Sequence, residues 1–459
     1  MQYSRYVHLF YVGNDVVALY HALLVRTVFI TYTEAQQLDF YFKTNDIDSD
    51  AILETIQYLY VNCYIVVNAD EDNKLYNKCI ELISPPAISN AYIVVTENCN
   101  FNCKYCFISN AVQHAGETKV MTNEVARQTV KLLQKTYERQ QTSYDKTITF
   151  YGGEPLLNFD VICFFMDEVN RIKEKYYWPS DMKYALITNG FLLTKDILKA
   201  LQGYGITLSI SYDVDKESHA QRIDKNGNNS YEVVREKIGL CHEMGIPFSL
   251  SITISEVLLS RKNEVLTEIL KLSPATIVFN LLIPNTQRLK NEHYYEDATD
   301  FMIQAFIRLR GIGLYEDRIM RKVRAFSENK MHLYDCCAGG GNQYVITPDG
   351  KIGICHGYLN NRKYFSSSIY DVDFDFRTQV DYLYWKKRTP LLMKQCQECE
   401  CLSICGGGCP YAADYMYGSI YELDTRFCIH AKKVLDWMIK DLYYQVVNKR
   451  KNSLNGNSV

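Results

Sequence analysis

AYIVVTENCNFNCKYCF, residues 91–107, decides how this chain folds. Its first part, Ala91–Thr96, is an apolar run of strand length, rich in β-branched residues. Its second part places Cys99, Cys103 and Cys106 in the loop directly after that strand. Loops at the carboxyl ends of strands are where α/β sheets and barrels carry their chemistry. Three thiolates are one short of a closed structural metal site. A 4Fe–4S cluster held by three cysteines keeps one iron open to a further ligand. A zinc site is the alternative, but zinc normally takes four protein ligands.

Further strand-like runs follow at Thr147–Tyr151, Lys183–Thr188, Thr207–Tyr212, Pro247–Thr253 and Thr276–Leu282. Helical patterns such as Asn123–Glu138 and Asp196–Gly203 separate them. Strands alternating with helical crossovers predict an α/β fold, a partial (β/α)6 TIM-like barrel over residues 86–295. Upstream, residues 1–85 read as a small α+β module. Strands Tyr6–Tyr11 and Val16–Leu24 flank a turn at Gly13-Asn14-Asp15, and Thr27–Thr31 extends them. Helices are expected at Glu34–Phe42 and Asp50–Tyr60, a strand at Cys63–Val67, an acidic turn at Asp70-Glu71-Asp72 and a linker at Ser84-Pro85-Pro86. Downstream, residues 296–335 read as a helical bridge, 336–430 as a cysteine- and glycine-rich domain, and 431–459 as a closing helix whose tail, from Asn452, frays.

Hydrophobic residues make up 47% of the chain, enough to bury a large core and exclude wholesale disorder. A net charge of −3 gives no electrostatic case for a nucleic-acid or membrane partner. No targeting segment or bilayer-length apolar run stands out, so a cytoplasmic protein is expected. Sixteen cysteines in a reducing compartment are metal ligands or buried thiols rather than a disulfide framework. Cys63, Cys79, Cys163 and Cys241 have no motif partners and are expected to be buried thiols.

The second barrel strand runs into Gly152-Gly153-Glu154-Pro155. Glycines there let backbone approach a ligand, and Glu154 can accept from an ammonium group. Thr188-Asn189-Gly190 ends the third strand, Ser209 to Asp213 ends the fourth, and His219 and Arg222 follow. This order resembles the radical S-adenosylmethionine (radical SAM) superfamily: the cysteine motif with aromatic Tyr105 before its last cysteine, then GGEP, then a serine-to-arginine region with altered spacing. The resemblance implies that Cys99, Cys103 and Cys106 hold the catalytic cluster. It further implies S-adenosylmethionine binding by Gly152, Gly153, Glu154, Pro155, Asn189 and Ser209. Arg222 either pairs with the cofactor's carboxylate or is a solvated surface arginine. Tyr105 and Phe107 sit near adenine or in the core.

Near the carboxyl end, Cys337, Cys355, Cys396, Cys399, Cys405, Cys409 and Cys428 recur at spacings that resemble the SPASM domain of some radical SAM enzymes. That resemblance implies two auxiliary 4Fe–4S clusters, three in all. Cys396, Cys399, Cys405 and Cys428 would hold one, and Cys337, Cys355 and Cys409 the other. Either Cys336 is the fourth ligand of the latter, or that iron is open to a substrate sulfur. Cys401, between ligands, is a bystander or a substitute. Enzymes of this class mostly modify peptides. The N-terminal module resembles the winged-helix elements that bind a leader peptide by strand addition. The resemblance therefore implies a maturase of a ribosomally made precursor peptide, served by a flavodoxin or ferredoxin, that forms an oxidative cross-link, a thioether first and a carbon–carbon link second. The rival is an anaerobic sulfatase maturase that makes formylglycine. In those enzymes an aspartate base follows the second cysteine, where this chain has His356.

Overall fold

The computed structural model describes residues 1–13, 15–47, 50–85, 87–108, 119–140, 145–283 and 289–455, the side chains of 50, 51, 337 and 448–455 excepted. Its centre is a nine-stranded sheet. β6 (Asn90–Thr96), β7 (Thr147–Gly152), β8 (Lys183–Thr188), β9 (Ile206–Ser211), β10 (Phe248–Ile254) and β11 (Thr276–Leu281) lie side by side in chain order, all parallel. This is the expected partial barrel. Alternation explains which face the helices cover. Ile148, Phe150, Leu186, Leu208, Ile252 and Phe279 are buried. Phe150 meets Phe165 of helix Phe159–Lys173 edge-on at 5.3 Å, and Phe279 meets Phe301 of helix Tyr294–Arg310 at 5.1 Å. Each such side chain contributes roughly 1.5–3 kcal/mol on burial. The opposite face carries Tyr92, Tyr151, Ser209, Ser211, Ser251 and Asn280, half-buried and mostly polar, so the uncovered side of the barrel is a wall built to meet something other than protein core.

The sheet does not stop at residue 295. β12 (Gln343–Ile346) pairs parallel with β6, and β13 (Lys351–Gly353) and β14 (Ser367–Ser368) continue antiparallel. The cysteine-rich region is thus hydrogen-bonded into the barrel's edge. The bridge before it comprises helices Tyr294–Arg310 and Asp317–Ser327. The closing helix begins at Thr425, earlier than the expected 431, so Cys428 lies in its first turn. It continues to Asn455; of the tail expected to fray from Asn452, residues 456–459 lie outside the described residues.

The N-terminal module holds β2 (Val7–Gly13), β3 (Val16–His21) and β4 (Arg26–Thr31) as an antiparallel sheet, and β1 (Gln2–Tyr3) pairs with β5 (Ile65–Val66). Asn14 of the expected turn and Pro86 of the expected linker lie outside the described residues. Two expectations are corrected. The strand expected over 63–67 shrinks to Ile65–Val66, because Cys63 turns the chain with φ +67°. The acidic tract is no turn but the start of helix Ala69–Glu81: Asn68 caps it by accepting from Asp70 N at 3.0 Å, and acidic side chains suit that positive end. Asp72 is buried there and accepts from Ser4 Oγ (2.6 Å) and Arg5 N (3.0 Å).

Helices Tyr32–Thr44 and Asp50–Val61 close a small core of Val17, Leu19, Ile30, Leu38, Ile56 and Leu59. The other face of the module, with Tyr6, Tyr20 and Leu23, joins the main core. Ser403 Oγ donates to Leu23 O at 3.3 Å, Tyr76 donates to Leu391 O, and Tyr20 stacks on Phe326. The module is therefore seated on the cysteine-rich region. Among the described residues no helix is long and apolar enough to cross a membrane. Cys79 and Cys241 are buried as expected; Cys63 and Cys163 are only half-buried.

Candidate active site

β6 and β7 end side by side, and their loops are stitched together. Gly153 N donates to Thr96 O at 3.0 Å and Glu154 N to Asn98 O at 2.7 Å. A Cβ on Gly153 would lie 2.2 Å from Asn98 O, so only glycine permits the approach. Pro155 opens a short 3-10 turn, Pro155–Asn158, and Asn158 Nδ2 then donates to Val95 O at 2.8 Å and Met121 O at 3.1 Å. GGEP thereby fixes the strand end that launches Cys99.

Glu154 lies at the centre of this stitching, fully buried. It accepts from Thr188 Oγ1 (2.6 Å), Asn189 N (2.8 Å) and Leu156 N (3.1 Å). Burial pushes its carboxyl up to about 7 against those donors. A carboxylate has about four acceptor positions, so one remains for an ammonium group. Asn189 donates from Nδ2 to Asn100 Oδ1 at 2.7 Å and accepts from Phe191 N at 3.0 Å, which ties the third strand's end to the residue after Cys99. Asn100 Nδ2 is buried without a hydrogen-bond partner. Ser209 sits half-buried on the uncovered face of β9, in register with Ile187 and Ser249.

The serine-to-arginine region does something the sequence did not disclose. Arg222 is buried and pairs with Asp213, Nε to Oδ2 at 3.0 Å and Nη2 to Oδ1 at 3.3 Å. The guanidinium lies 5.2 Å over the Tyr105 ring, and the Tyr105 hydroxyl donates to Asp213. Asp213 also accepts from Thr253 N at 2.9 Å. His219 Nδ1 accepts from Asp213 N (3.2 Å), which leaves Nε2–H for Ser230 Oγ (3.0 Å), which donates to Arg222 O (2.7 Å). Arg222 is therefore no surface arginine, and in this structure its carboxylate partner is Asp213. Tyr105 is a core aromatic pinned to the same carboxylate. Together they clamp the cysteine loop from behind. Asp213 was missed as a functional residue; its position after the fourth strand was the available signal.

The donor chemistry fits an iron–sulfur cluster. Burial pushes the Cys99 thiol up to about 12 and Cys103 up to about 11, with Arg222 working against the rise at Cys103. Each of Cys103 and Cys106 raises Cys99 further, so the three lie within electrostatic reach of one another. Buried thiols in this state need a cation before they act as thiolates. Three cysteines with no histidine or carboxylate closing the set suit a multi-iron cluster with an open corner.

The carboxyl-terminal cysteines fall into two groups. Cys355 is pushed up by burial and then by Cys409 and Cys336, so these three are neighbours. Cys396 is influenced by Cys405 and Cys399, and Cys428 by Cys396 and Cys399. Cys336 is thus within electrostatic reach of Cys355, as is Cys409. The side chain of Cys337 lies outside the described residues. Gly406, Gly407 and Gly408 all have positive φ (68°, 78° and 69°), a left-handed run between Cys405 and Cys409 that glycine accommodates. Cys401 is buried beside Cys399, its N–H 3.4 Å from that sulfur.

His356, next after Cys355, is half-buried, and the desolvation of its ring pushes its imidazole down to about 4. Its ring packs on Tyr92 (4.7 Å), Tyr151 (5.0 Å) and Phe107 (5.8 Å), and its Nδ1 has no hydrogen-bond partner. Tyr92 and Tyr151 belong to the uncovered barrel wall, and Phe107 follows Cys106. Tyr151 lies within electrostatic reach of Cys106, Cys99 and Cys355. Phe107 is thus part of an aromatic wall shared by the barrel loop and the Cys336/Cys355/Cys409 group.

Residues 93–272 match the family model described as the Radical SAM superfamily. Radical SAM cyclopropyl synthase TigE of Paramaledivibacter caminithermalis is 23% identical over 424 residues, which cover 85% of this chain and 83% of that protein. Among solved structures, anSMEcpe with bound AdoMet and Cp18Cys peptide is similar at a TM-score of 0.64 and 20% identity, over 79% of this chain and 99% of that one. Streptococcus suis SuiB bound to precursor peptide SuiA is similar at a TM-score of 0.51 and 14% identity, over 93% and 99%. Residues 93–272 thus form a radical SAM domain, of the superfamily whose members use S-adenosylmethionine and a 4Fe–4S cluster, and the chain is an enzyme.

Proposed function

We propose that this enzyme is a peptide maturase that removes a hydrogen from a ribosomally made precursor and closes an oxidative cross-link, a thioether. Cys99, Cys103 and Cys106 would hold the catalytic cluster. Glu154, with Gly152, Gly153, Pro155, Asn189 and Ser209 around it, would hold the methionine end of S-adenosylmethionine. Bound together and reduced, these groups supply hydrogen abstraction from an unactivated C–H bond. The chain's own part is to orient the cofactor, exclude water and aim a substrate carbon. Cys396, Cys399, Cys405 and Cys428 would hold a closed auxiliary cluster; Cys355, Cys409 and Cys336, with Cys337 beside it, would hold the other.

The observation that carries the reading is the aromatic wall. The ring of His356, next to Cys355, packs on Tyr151 and Tyr92 of the barrel wall and on Phe107, next to Cys106, so a substrate on that wall would lie near both cysteine sets. An oxidation needs an electron exit close to the reacting carbon, and a second cluster there provides one; a flavodoxin or ferredoxin would supply the reducing electron. The peptide reading is supported by the precursor bound in the SuiB structure and the peptide bound in the anSMEcpe structure. The leader would add to an edge of the N-terminal sheet, such as β4, which among the described residues is hydrogen-bonded to β3 alone.

The test is an intact mass of the precursor after co-expression. A loss of about two daltons per link, with protected thiols, is the expected result for a thioether made by the radical route. An unchanged mass refutes it. Oxidation to formylglycine is the second reading, favoured by the free Nδ1 of His356 where a base would stand; an aldehyde-reactive product would replace the first reading with it.

A further inference from the structure

Beside the second cysteine group lies a set of buried charged and titratable side chains with unsatisfied polar atoms. Lys322, on helix Asp317–Ser327, is wholly buried, and its Nζ has no hydrogen-bond partner. The nearest counter-charge is Asp335 Oδ1 at 3.6 Å, beyond good hydrogen-bonding range, and that oxygen is unsatisfied too. Arg318 approaches the other carboxylate oxygen, also at 3.6 Å. His430 is buried with both ring nitrogens unpartnered. An ammonium carries three donors, and burying it with none engaged is expensive. Such an arrangement is stable only with a further acceptor in place.

The surroundings say where that acceptor belongs. Asp335 N donates to Gly406 O at 2.9 Å and His332 N to Ser403 O at 2.7 Å, so the segment carrying Asp335 is laced to the strip holding Cys405. Lys322 Nζ lies 5.8 Å from the ring of Phe427, the residue before Cys428. Among charged groups, Lys322 acts most strongly on the Cys405 sulfur. The lysine thus lies beside the neighbours of Cys405 and Cys428 in the chain, Gly406 through Asp335 and Phe427 directly.

We propose that Lys322 sets a fixed positive charge, with free N–H donors, against the auxiliary cluster of Cys396, Cys399, Cys405 and Cys428, and so raises its reduction potential. The inference rests on assigning those four cysteines as ligands. Adding an electron to a four-thiolate cluster increases its negative charge, and nearby cations and N–H donors to sulfur favour that state. Four cysteines leave no open iron, so this cluster carries electrons and does not bind substrate. Lys322 makes it the better acceptor of the electron released in an oxidation. Asp335 moderates the charge.

The experiment is a redox titration, followed by electron paramagnetic resonance, of the full-length reconstituted protein. Wild type is compared with Lys322→Met, Lys322→Arg and Asp335→Asn, with iron counted in each. In Lys322→Met one midpoint should fall, so that at a fixed potential that cluster's reduced-to-oxidised ratio drops about tenfold, equivalent to about 59 mV for one electron. Lys322→Arg should restore it, and Asp335→Asn should move the same midpoint upward. Unmoved midpoints in Lys322→Met with full iron content overturn the proposal. If Lys322→Met loses the cluster, Asp335→Asn decides alone: an unmoved midpoint there overturns it. Cys405→Ala with Cys428→Ala separates the two claims. Loss of one cluster's iron upholds the ligand assignment, whereas unchanged iron overturns that assignment and the proposal together.

Discussion

The barrel loop and the cysteine-rich region hold their thiols in opposite ways. Cys99, Cys103 and Cys106 ride on a loop whose base is fixed by parallel strands, by the Gly153 and Glu154 stitches and by the Arg222–Asp213–Tyr105 clamp. The carboxyl-terminal cysteines, apart from Cys428 in the first turn of the closing helix, lie among short turns, strands of two to four residues and a run of left-handed glycines. The first site is preorganised by the fold. The second is a place where bound metal must supply much of the order, as in small metal-dependent domains. The difference teaches that cluster loss should disable one region and disorder the other.

The sharpest break of that comparison is substitution of Cys99, Cys103 and Cys106 together by alanine. Reductive cleavage of S-adenosylmethionine should vanish, while auxiliary-cluster absorbance and the melting temperature stay near wild type. Next comes the clamp. Arg222→Met leaves Asp213 buried and unpaired, and should destabilise the barrel by about 3–5 kcal/mol in chemical denaturation. If the loss is under about 1 kcal/mol, the clamp is not what holds the loop. Chelating the iron then sharpens the contrast. Hydrogen exchange should rise across 396–428 and leave β7 to β10 protected; uniform exchange through both regions would erase the distinction.

The smallest effect concerns the module. His21 is buried, its Nδ1 accepts from Leu24 N at 3.3 Å, and burial holds its imidazole down to about 4. A free histidine titrates near 6.5, so between those values the unfolded chain takes up a proton that the folded chain refuses. Stability is therefore flat above that range and falls as pH drops through it, by about 1.4 kcal/mol per pH unit at most. Unfolding free energies at pH 7, 6 and 5 should show this slope in wild type and a shallower one in His21→Phe.

Much of the barrel was legible because its strands are long, β-branched and separated by helical periods, as Lys183–Thr188 and Thr276–Leu281 illustrate. The cysteine spacing was equally plain. What stayed hidden was set by tertiary contact. Nothing local marks Asp213 as the partner of Arg222, nine residues away, and Tyr105 reads alike as a ring for adenine or for the core. The joining of β12 to β6 spans some 250 residues, beyond any local pattern. The helix at Ala69–Glu81 was obscured by its acidic start, which in isolation reads as a turn and in context is a capped helix end.

The central claim is that this enzyme's radical chemistry is spent on a peptide C–H bond. The most direct measurement is isotopic: reduce the enzyme with S-adenosylmethionine and a uniformly deuterated precursor peptide, then weigh the 5′-deoxyadenosine. The account predicts deuterium carried from peptide to nucleoside in step with cross-link formation. Abundant 5′-deoxyadenosine free of deuterium, beside a peptide of altered mass, would contradict it.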